Sequence, residues 1–335
     1  MIIRSKAPLR IGLAGGGTDI PPYPERYGGL VLNATINLYA VASIIPNRTE
    51  KYSVSSLDYN QNVDLKSAQK YEFDGTLDLA KGIIRRLKFN NLGFELFTRC
   101  DVLPGTGLGS SSAMTVAMIG AFKEWQRLLL SKYEIAMLAY QIERQDIGLA
   151  GGYQDQFAAT FGGFNLLELN ANEVIVIPLN VDPAVVCELQ ENTILYLVGN
   201  SRVSHDMERD KGKSIQNNDP SVLGALHSLK DQVQLMKKAL LLGKANDIGE
   251  LLGCAWEGKK RLGQQITTPE VEEAYALAMK SGAIGGKLCG AGGGGVLLLY
   301  CQPTQKGEVL AHLAKLGGTV LPIEFTMKGM ETWRA

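Results

Sequence analysis

Glycine is spread unevenly along this chain. Half of its 38 glycines fall in four short stretches, residues 12–17, 105–109, 148–163 and 285–295. Glycine weakens helix and strand interiors by roughly 0.5–1 kcal/mol relative to alanine, so clusters of it need a physical reason. Tight turns are one reason. The other is backbone that must come close to a ligand, and four clusters beside polar residues favour that second reading.

The remainder of the composition narrows the class. A length of 335 residues suggests about two domains. With 45% hydrophobic and 20% charged residues the chain is globular. Lys plus Arg and Asp plus Glu each number 34, a balance that argues against nucleic-acid binding by phosphate neutralisation. No apolar run approaches the length of a membrane span, and Met1–Lys6 lacks the apolar stretch of a signal peptide. Five cysteines (100, 187, 254, 289, 301) without a C-x-x-C pair fit reduced thiols of a cytoplasmic protein. Only His205, His227 and His312 are present, too few for clustered imidazole chemistry.

Patterning predicts an α+β chain. Residues 1–12 are strand-like, 30–46 read as one or two strands, and YSVSS is a short strand within the polar stretch 51–74. Leu79, Ile83 and Leu87 mark a helix over 76–90, and alternation marks a strand over 94–102. A helix runs from near Ser110 to about Leu129; its small residues Ala113, Val116, Ala117, Gly120 and Ala121 predict close packing. The next helix opens on the capping-box pair Ser131 and Glu134, buries Ile135, Leu138, Ala139 and Ile142, and ends at Gly148. Residues 164–178 read as a hairpin turning near 170–172. A boundary near residue 185 gives domains 1–185 and 186–335. Beyond it lie a strand over 193–199, a polar loop through 218, helices over 220–242, 245–262 and 269–281, a strand over 296–301, a helix over 304–316 and a strand near 319–326. Thr268 and Pro269 are a good N-cap and first helical residue.

Residues 103–113, Leu-Pro-Gly-Thr-Gly-Leu-Gly-Ser-Ser-Ser-Ala, sit between a predicted strand and a predicted helix. The unpaired N–H groups and positive dipole end of a helix start attract anions. Gly105, Gly107 and Gly109 let backbone wrap a phosphate, and Ser110, Ser111 and Ser112 add hydroxyls for phosphate or Mg²⁺. The loop is not a Walker motif, because no Lys follows. It approaches the G-x-S-x-G elbow of serine hydrolases, but His227 and His312 lie on predicted helices, weak contexts for a triad.

This loop resembles the second motif of the GHMP kinases, the family of galactokinase, homoserine kinase, mevalonate kinase and phosphomevalonate kinase. Lys6-Ala7-Pro8-Leu9-Arg10-Ile11-Gly12-Leu13-Ala14-Gly15-Gly16-Gly17-Thr18-Asp19 resembles the first motif, and Lys287-Leu288-Cys289-Gly290-Ala291-Gly292-Gly293-Gly294-Gly295 the third. The resemblance implies a two-domain fold: an N-terminal domain with a left-handed βαβ unit and a ferredoxin-like C-terminal domain, with nucleotide between them. AGGGTDIPPYPERYGG followed by NATINLYA is similar to kinases acting on an anomeric sugar hydroxyl, in particular those that convert D-glycero-D-manno-heptose 7-phosphate to the 1,7-bisphosphate. L-fucokinases share a similar opening. Galactokinases carry Gly-Glu-His where this chain has Gly15-Gly16-Gly17, which puts galactose in doubt.

The resemblance also implies roles. ATP would lie on Pro104, Gly105, Gly107, Leu108, Gly109, Ser110, Ser111 and Ser112. Ser111 and Glu143 would hold Mg²⁺, which commonly takes few protein ligands beside phosphates. Asp155 matches the catalytic Asp. The unperturbed carboxyl pKa of about 3.9 is low for a base, but a loose transition state lets the proton leave late. Arg10 matches the basic residue beside it and would stabilise charge on the transferring phosphoryl. Asp19 matches a sugar-hydroxyl ligand, with Thr18 and Gly17 beside it, and Gly292 belongs to the glycine segment that closes the site. A substrate phosphate needs cations, of which Lys6, Arg26, Arg48, Arg202 and Lys211 are candidates and Arg202, after a predicted strand end, the favoured one. The expected partner is a small sugar phosphate, the expected assembly a monomer or homodimer. A noncatalytic sugar sensor on the same fold is the rival of another class; the presence of Arg10, Glu143 and Asp155 disfavours it.

Overall fold

One long strand organises the first half of the chain. In the computed structural model, which describes residues 1–49, 51–65, 72–87, 93–171, 173–199, 204–263 and 265–335, the order is β1 (Ile3–Ala14), α1 (Tyr23–Tyr27), β2 (Gly29–Asn47), β3 (Tyr52–Ser56), β4 (Gln61–Leu65), α2 (Asp78–Arg86) and β5 (Gly93–Cys100). Next come α3 (Ser110–Gln126), α4 (Lys132–Tyr140), a π-helical turn (Gln141–Asp146), α5 (Gln154–Phe161), β6 (Phe164–Leu169) and β7 (Val174–Pro178). β2 pairs with β1 along one edge. On its other edge residues 29–34 pair with β6 and residues 40–47 with β5. That leaves a gap between the two partners. The C-terminal segment fills it: Asn37 N–H donates to the Glu324 carbonyl and Thr326 N–H to the Thr35 carbonyl. Buried backbone needs such partners. β3 and β5 form a parallel pair, joined through β4 and α2.

The second half contains α6 (Pro183–Asn192), β8 (Thr193–Leu197), α7 (Ser204–Gln216), α8 (Pro220–Leu241), α9 (Ala245–Lys260), α10 (Pro269–Lys280), β9 (Ala283–Leu288), β10 (Val296–Cys301), α11 (Pro303–Leu313), β11 (Thr319–Leu321) and β12 (Glu331–Arg334). Its sheet runs β11-β8-β10-β9, all antiparallel. This is the strand order of a ferredoxin-like unit, with the expected α+β character throughout. β12 instead crosses the division expected near residue 185 and covers the outer edge of β1, an edge that would otherwise invite pairing with another chain.

The small residues of α3 act as their pattern predicts. Ala113, Val116, Ala117 and Ala121 are fully buried, and α3 lies on β1 and β2. One hydrophobic core joins these residues to Val233, Leu240, Leu252, Leu298 and Tyr300 of the second half, so the halves are packed as one body. The capping box at Ser131 and the Thr268 cap are both formed.

α1, β4, β9 and β12 are not predicted from the sequence, and three further regions depart from its reading for a physical reason. The polar loop before residue 218 contains α7. It lacks an apolar stripe because its inward face carries Lys211 beside Ile215. α6 occupies the expected boundary, started by the Asp182 side chain accepting from Ala184 N–H and by Pro183. The strand expected over 319–326 stops at Leu321, because residues 324–326 turn onto β2.

Glycine at 285 serves helix packing. A Cβ there would overlap the carbonyl oxygen of Gly249 in α9. Gly224 in α8 is exposed with nothing near its Cβ position. Gly285→Ala is therefore expected to destabilise the protein by about 2–4 kcal/mol, and Gly224→Ala to stabilise it by roughly 0.5–1 kcal/mol. Urea unfolding of both variants checks this; the opposite order of midpoints would contradict the packing described.

Candidate active site

A cleft of about 470 Å³ opens between the two sheets. The end of β1, the 104–112 loop, the π-helical turn, residues 149–155, α7, α9 and residues 287–291 all reach its wall.

The 104–112 loop is built for an anion. Gly105, Gly107 and Gly109 have φ of 85°, 80° and 77°, whereas Thr106 and Leu108 between them do not share the left-handed conformation. Such alternation turns successive N–H groups toward one concavity. Gly109 is also the N-cap of α3, so the loop leads directly into the helix start with its orphan N–H groups. Ser110, Ser111 and Ser112 line the cleft there, as do Pro104, Gly105, Gly107 and Gly109. Leu108 does not: its side chain is fully buried in the core, and its carbonyl accepts from Arg10 N–H at 3.0 Å. Leu108 thus anchors the loop to β1 instead of touching a nucleotide through its side chain.

Arg10 and Asp155 meet beside this loop. Arg10 Nε donates to Asp155 Oδ1 at 2.7 Å, and Nη2 lies 2.6 Å from the same oxygen. Arg10 Nη1 donates to the Gly107 carbonyl at 2.5 Å. Burial works to lower the Arg10 pKa, but the charge and hydrogen bond of Asp155 outweigh it and raise the value, so the guanidinium is firmly charged. A Cβ at Gly109 would lie 3.3 Å from the Asp155 carboxyl carbon. Glycine there lets the loop and the carboxylate share one corner.

The neighbouring residue reaches the other side. Gln154 N–H donates to Asp19 Oδ2 at 3.0 Å, and Gly17 N–H to Oδ1 at 3.2 Å. A Cβ at Gly152 would overlap Asp19 Oδ2, so only glycine admits this approach. Burial raises the Asp19 pKa; the Gln154 N–H opposes it, and the charges of Glu208 and Asp155 add to it. Asp19 and Gly17 line the cleft. Thr18 does not: its buried hydroxyl lies 2.8 Å from the Gly15 and Leu30 carbonyls and accepts from Leu30 N–H. It locks the turn and is too deeply buried to reach a sugar. Gly292 is likewise off the cleft wall, packed against the Ile266 backbone and Met207.

Glu143 sits on the π-helical turn, where one extra residue re-aims side chains. Regular helix to Gly148 was expected; the helical hydrogen-bond pattern changes at residue 141. Glu143 is 1% exposed, no surface carboxylate. Its Oε2 accepts from Ser112 Oγ at 2.8 Å and Gln156 Nε2 at 2.9 Å, with Arg144 Nη2 at 3.4 Å. Its Oε1 is buried and has no hydrogen-bond partner. An anionic oxygen so placed fits a cation. No group of three or more His, Cys, Asp or Glu among the described residues could cage an ion unaided. Serine, one carboxylate, phosphate oxygens and water form a donor set that suits Mg²⁺.

Residues not singled out as cleft ligands also reach the site. Lys259 and Lys287 are buried on the cleft wall, as is Lys211, and Glu208 stands beside them. Lys259 follows Leu252, Ala255 and Trp256 at helical spacing, all buried, so the period alone turned it inward. Among the other cations, Lys6 pairs with Glu331 at 3.1 Å, Arg26 donates to the Ile215 carbonyl, and Arg48 is exposed off the cleft. Arg202 lies outside the described residues. His227 and His312 are occupied elsewhere, by Tyr23 and Ser281, which removes them from any serine triad.

Comparison with known proteins accounts for this arrangement. Residues 78–163 match the GHMP kinase N-terminal domain and residues 236–318 the GHMP kinase C-terminal domain. The chain is 42% identical to a D-glycero-alpha-D-manno-heptose 7-phosphate kinase of Campylobacter jejuni, over 99% of both chains. A solved D-glycero-D-manno-heptose 1-phosphate kinase from Bacteroides thetaiotaomicron is 38% identical over 99% of both chains, with a TM-score of 0.81. Lactococcus lactis galactokinase is 19% identical and shares the fold over 98% of this chain and 95% of its own, with a TM-score of 0.77. The chain belongs to the GHMP kinase family and is an ATP-dependent sugar kinase.

Proposed function

We propose that the protein transfers the γ-phosphoryl group of Mg²⁺-ATP to the anomeric C1 hydroxyl of D-glycero-D-manno-heptose 7-phosphate, giving the 1,7-bisphosphate. One observation carries the chemistry. Residues 154 and 155 straddle the cleft, with Asp155 against the anion loop and Arg10, and the Gln154 N–H on Asp19. A nucleotide phosphate on the loop and a sugar hydroxyl on Asp19 would meet at Asp155.

Phosphoryl transfer demands positioning and charge stabilisation more than covalent chemistry. Asp155, held by two guanidinium contacts, accepts the hydrogen bond of the acceptor hydroxyl and takes its proton as the O–P bond forms. Arg10 stands where negative charge spreads over the transferring group. Ser111 and the Glu143 Oε1 would hold Mg²⁺, which neutralises the phosphate oxygens when bound. Ser112 and Gln156 keep Glu143 oriented. The π-helical turn is what aims Glu143 at the loop.

The heptose assignment rests on the Campylobacter relative and on the substitution of Gly15-Gly16-Gly17 for bulkier, hydrogen-bonding residues. The Bacteroides structure's name places the existing phosphate at C1 instead, which gives a second reading with the 7-hydroxyl as acceptor. We place the reaction in the cytoplasm, since all five cysteines are free thiols.

The deciding experiment is ADP release with heptose 7-phosphate, heptose 1-phosphate, mannose 6-phosphate, L-fucose and galactose, followed by ³¹P NMR of the product. Turnover of the 7-phosphate with a new resonance coupled to the anomeric proton is expected. Turnover confined to the 1-phosphate would reverse the regiochemistry, and turnover of fucose would replace the substrate.

Asp155→Asn retains an oxygen for Arg10 and so should fold normally. Its kcat should fall about 10²–10⁴-fold, the usual worth of a positioned base, while ATP binding by calorimetry stays within a few-fold. Near-normal turnover would remove Asp155 from catalysis. Glu143→Gln and Ser111→Ala should each raise the Mg²⁺ concentration needed for half-maximal rate by about tenfold or more. An unchanged Mg²⁺ titration in both would remove them from the metal site.

A further inference from the structure

Three buried lysines face the cleft, and of them only Lys211 has a carboxylate within ion-pair distance among the described residues. Lys211, Lys259 and Lys287 are each 6% exposed. Lys211 Nζ is 3.7 Å from Glu208 Oε2, outside hydrogen-bond distance. Lys259 and Lys287 have no ion-pair partner among the described residues. Lys259 donates to the Leu288 and Gly290 carbonyls, at 2.9 and 2.5 Å, and Lys287 to the Gly12 carbonyl at 2.8 Å. An ammonium has three donors, so Lys259 keeps one and Lys287 two.

Burying charge without a counter-charge is expensive. Lys259 and Lys287 show it. Burial, then the charges of Lys287 and Lys211, push Lys259 well below the usual lysine range. Burial takes Lys287 down to about 8. The Arg10 guanidinium has its carboxylate; Lys259 and Lys287 lack theirs, and Lys211 meets Glu208 only at 3.7 Å. An anion entering the cleft would complete them.

The place of the cluster says which anion. Lys211 stands beside Gly17, with Nζ 3.8 Å from where a Cβ would be, two residues from Asp19. Glu208 also acts on Asp19. Lys211 thus borders the Asp19 side, Lys287 holds the Gly12 carbonyl, and Lys259 holds the Leu288 and Gly290 carbonyls next to Gly107, while nucleotide phosphates have the N–H groups of the 104–112 loop and the start of α3. Resting on the sugar-phosphate reading above, we propose that Lys211 and Lys259 together form the seat for the phosphate group that the sugar already carries, with Lys287 as the third cation of that wall.

The lysines then act as specificity determinants, separating phosphorylated from unphosphorylated sugars. The test uses Lys211→Met and Lys259→Met, which keep an apolar stem and remove the charge, with Lys211→Arg as the conservative variant. The first readout is the ratio of kcat/KM for heptose 7-phosphate to that for the unphosphorylated heptose. It should fall about 30-fold or more in Lys211→Met, as expected for loss of a charged hydrogen bond, chiefly through KM, and recover in Lys211→Arg. An equal loss on both acceptors, or a rise confined to the KM of ATP, would overturn the proposal. The second readout needs no turnover. Inorganic phosphate should raise the melting temperature of the protein saturated with ADP, which occupies the 104–112 loop, and that shift should shrink in both Met variants. A full shift in both variants would overturn the seat. Where the shift depends on the lysines but no heptose phosphate is turned over, the seat stands and the substrate reading falls.

Discussion

The close approach of two backbones holds the cleft together. A Cβ on Gly107 would lie 2.6 Å from the Cys289 carbonyl oxygen, and one on Gly290 would overlap Gly107 itself. Val296 N–H donates across the same junction to the Thr106 carbonyl at 3.0 Å. The anion loop of the first half is therefore clasped by the glycine segment of the second. Arg10 closes the clasp from below, with its guanidinium on the Gly107 carbonyl. Side chains at these positions would force the halves apart and take the loop away from Asp155.

That contact changes how the glycine clusters are to be understood. Read as sequence, they suggested backbone approaching a ligand. The 105–109 stretch does line the cleft in that way. Much of the remainder serves backbone approaching protein. Gly152 admits Asp19, Gly285 admits α9, and Gly292 sits on residue 266. Both uses share one physical cause, the absence of Cβ, so composition alone could not separate them. The three motifs were legible because each needs particular residue types at fixed spacing. Arg10 and Asp19 could be placed in the cleft from the first motif, and Glu143 and Asp155, which lie outside the three motifs, from the family resemblance.

The misreadings have a common origin. Thr18 and Leu108 stand inside motifs, and motif membership does not say whether a side chain points to the ligand or to the fold. Thr18 spends its hydroxyl on carbonyls of residues 15 and 30, twelve residues and one turn away. α7 was invisible because its inward residues include Glu208 and Lys211, not an apolar stripe. A helix whose buried face carries charges breaks the period by which buried helices are recognised. The same holds for the π-helical turn. Its extra residue has no composition signature, yet it determines where Glu143 points.

Charge balance supplies what periodicity lacks. In this cleft the buried groups fall into two kinds. Arg10 is matched by Asp155, and Glu143 Oε2 by Ser112, Gln156 and Arg144, so these groups are settled within the protein. Glu143 Oε1, Lys259 and Lys287 are not, and Lys211 meets Glu208 only at 3.7 Å. The fold could have silenced each with a neighbouring polar or charged side chain, since a buried ion pair or an apolar substitute is the less costly arrangement. It leaves Glu143 Oε1 without a partner beside the anion loop, and elsewhere on the cleft wall three lysines with the carboxylates of Glu208 and Asp19. A cation bound with phosphates at the first place and a phosphate on the acceptor at the second would neutralise both. Asp155 stands between them, and with the proposed roles the site becomes electrically complete only when both substrates are present.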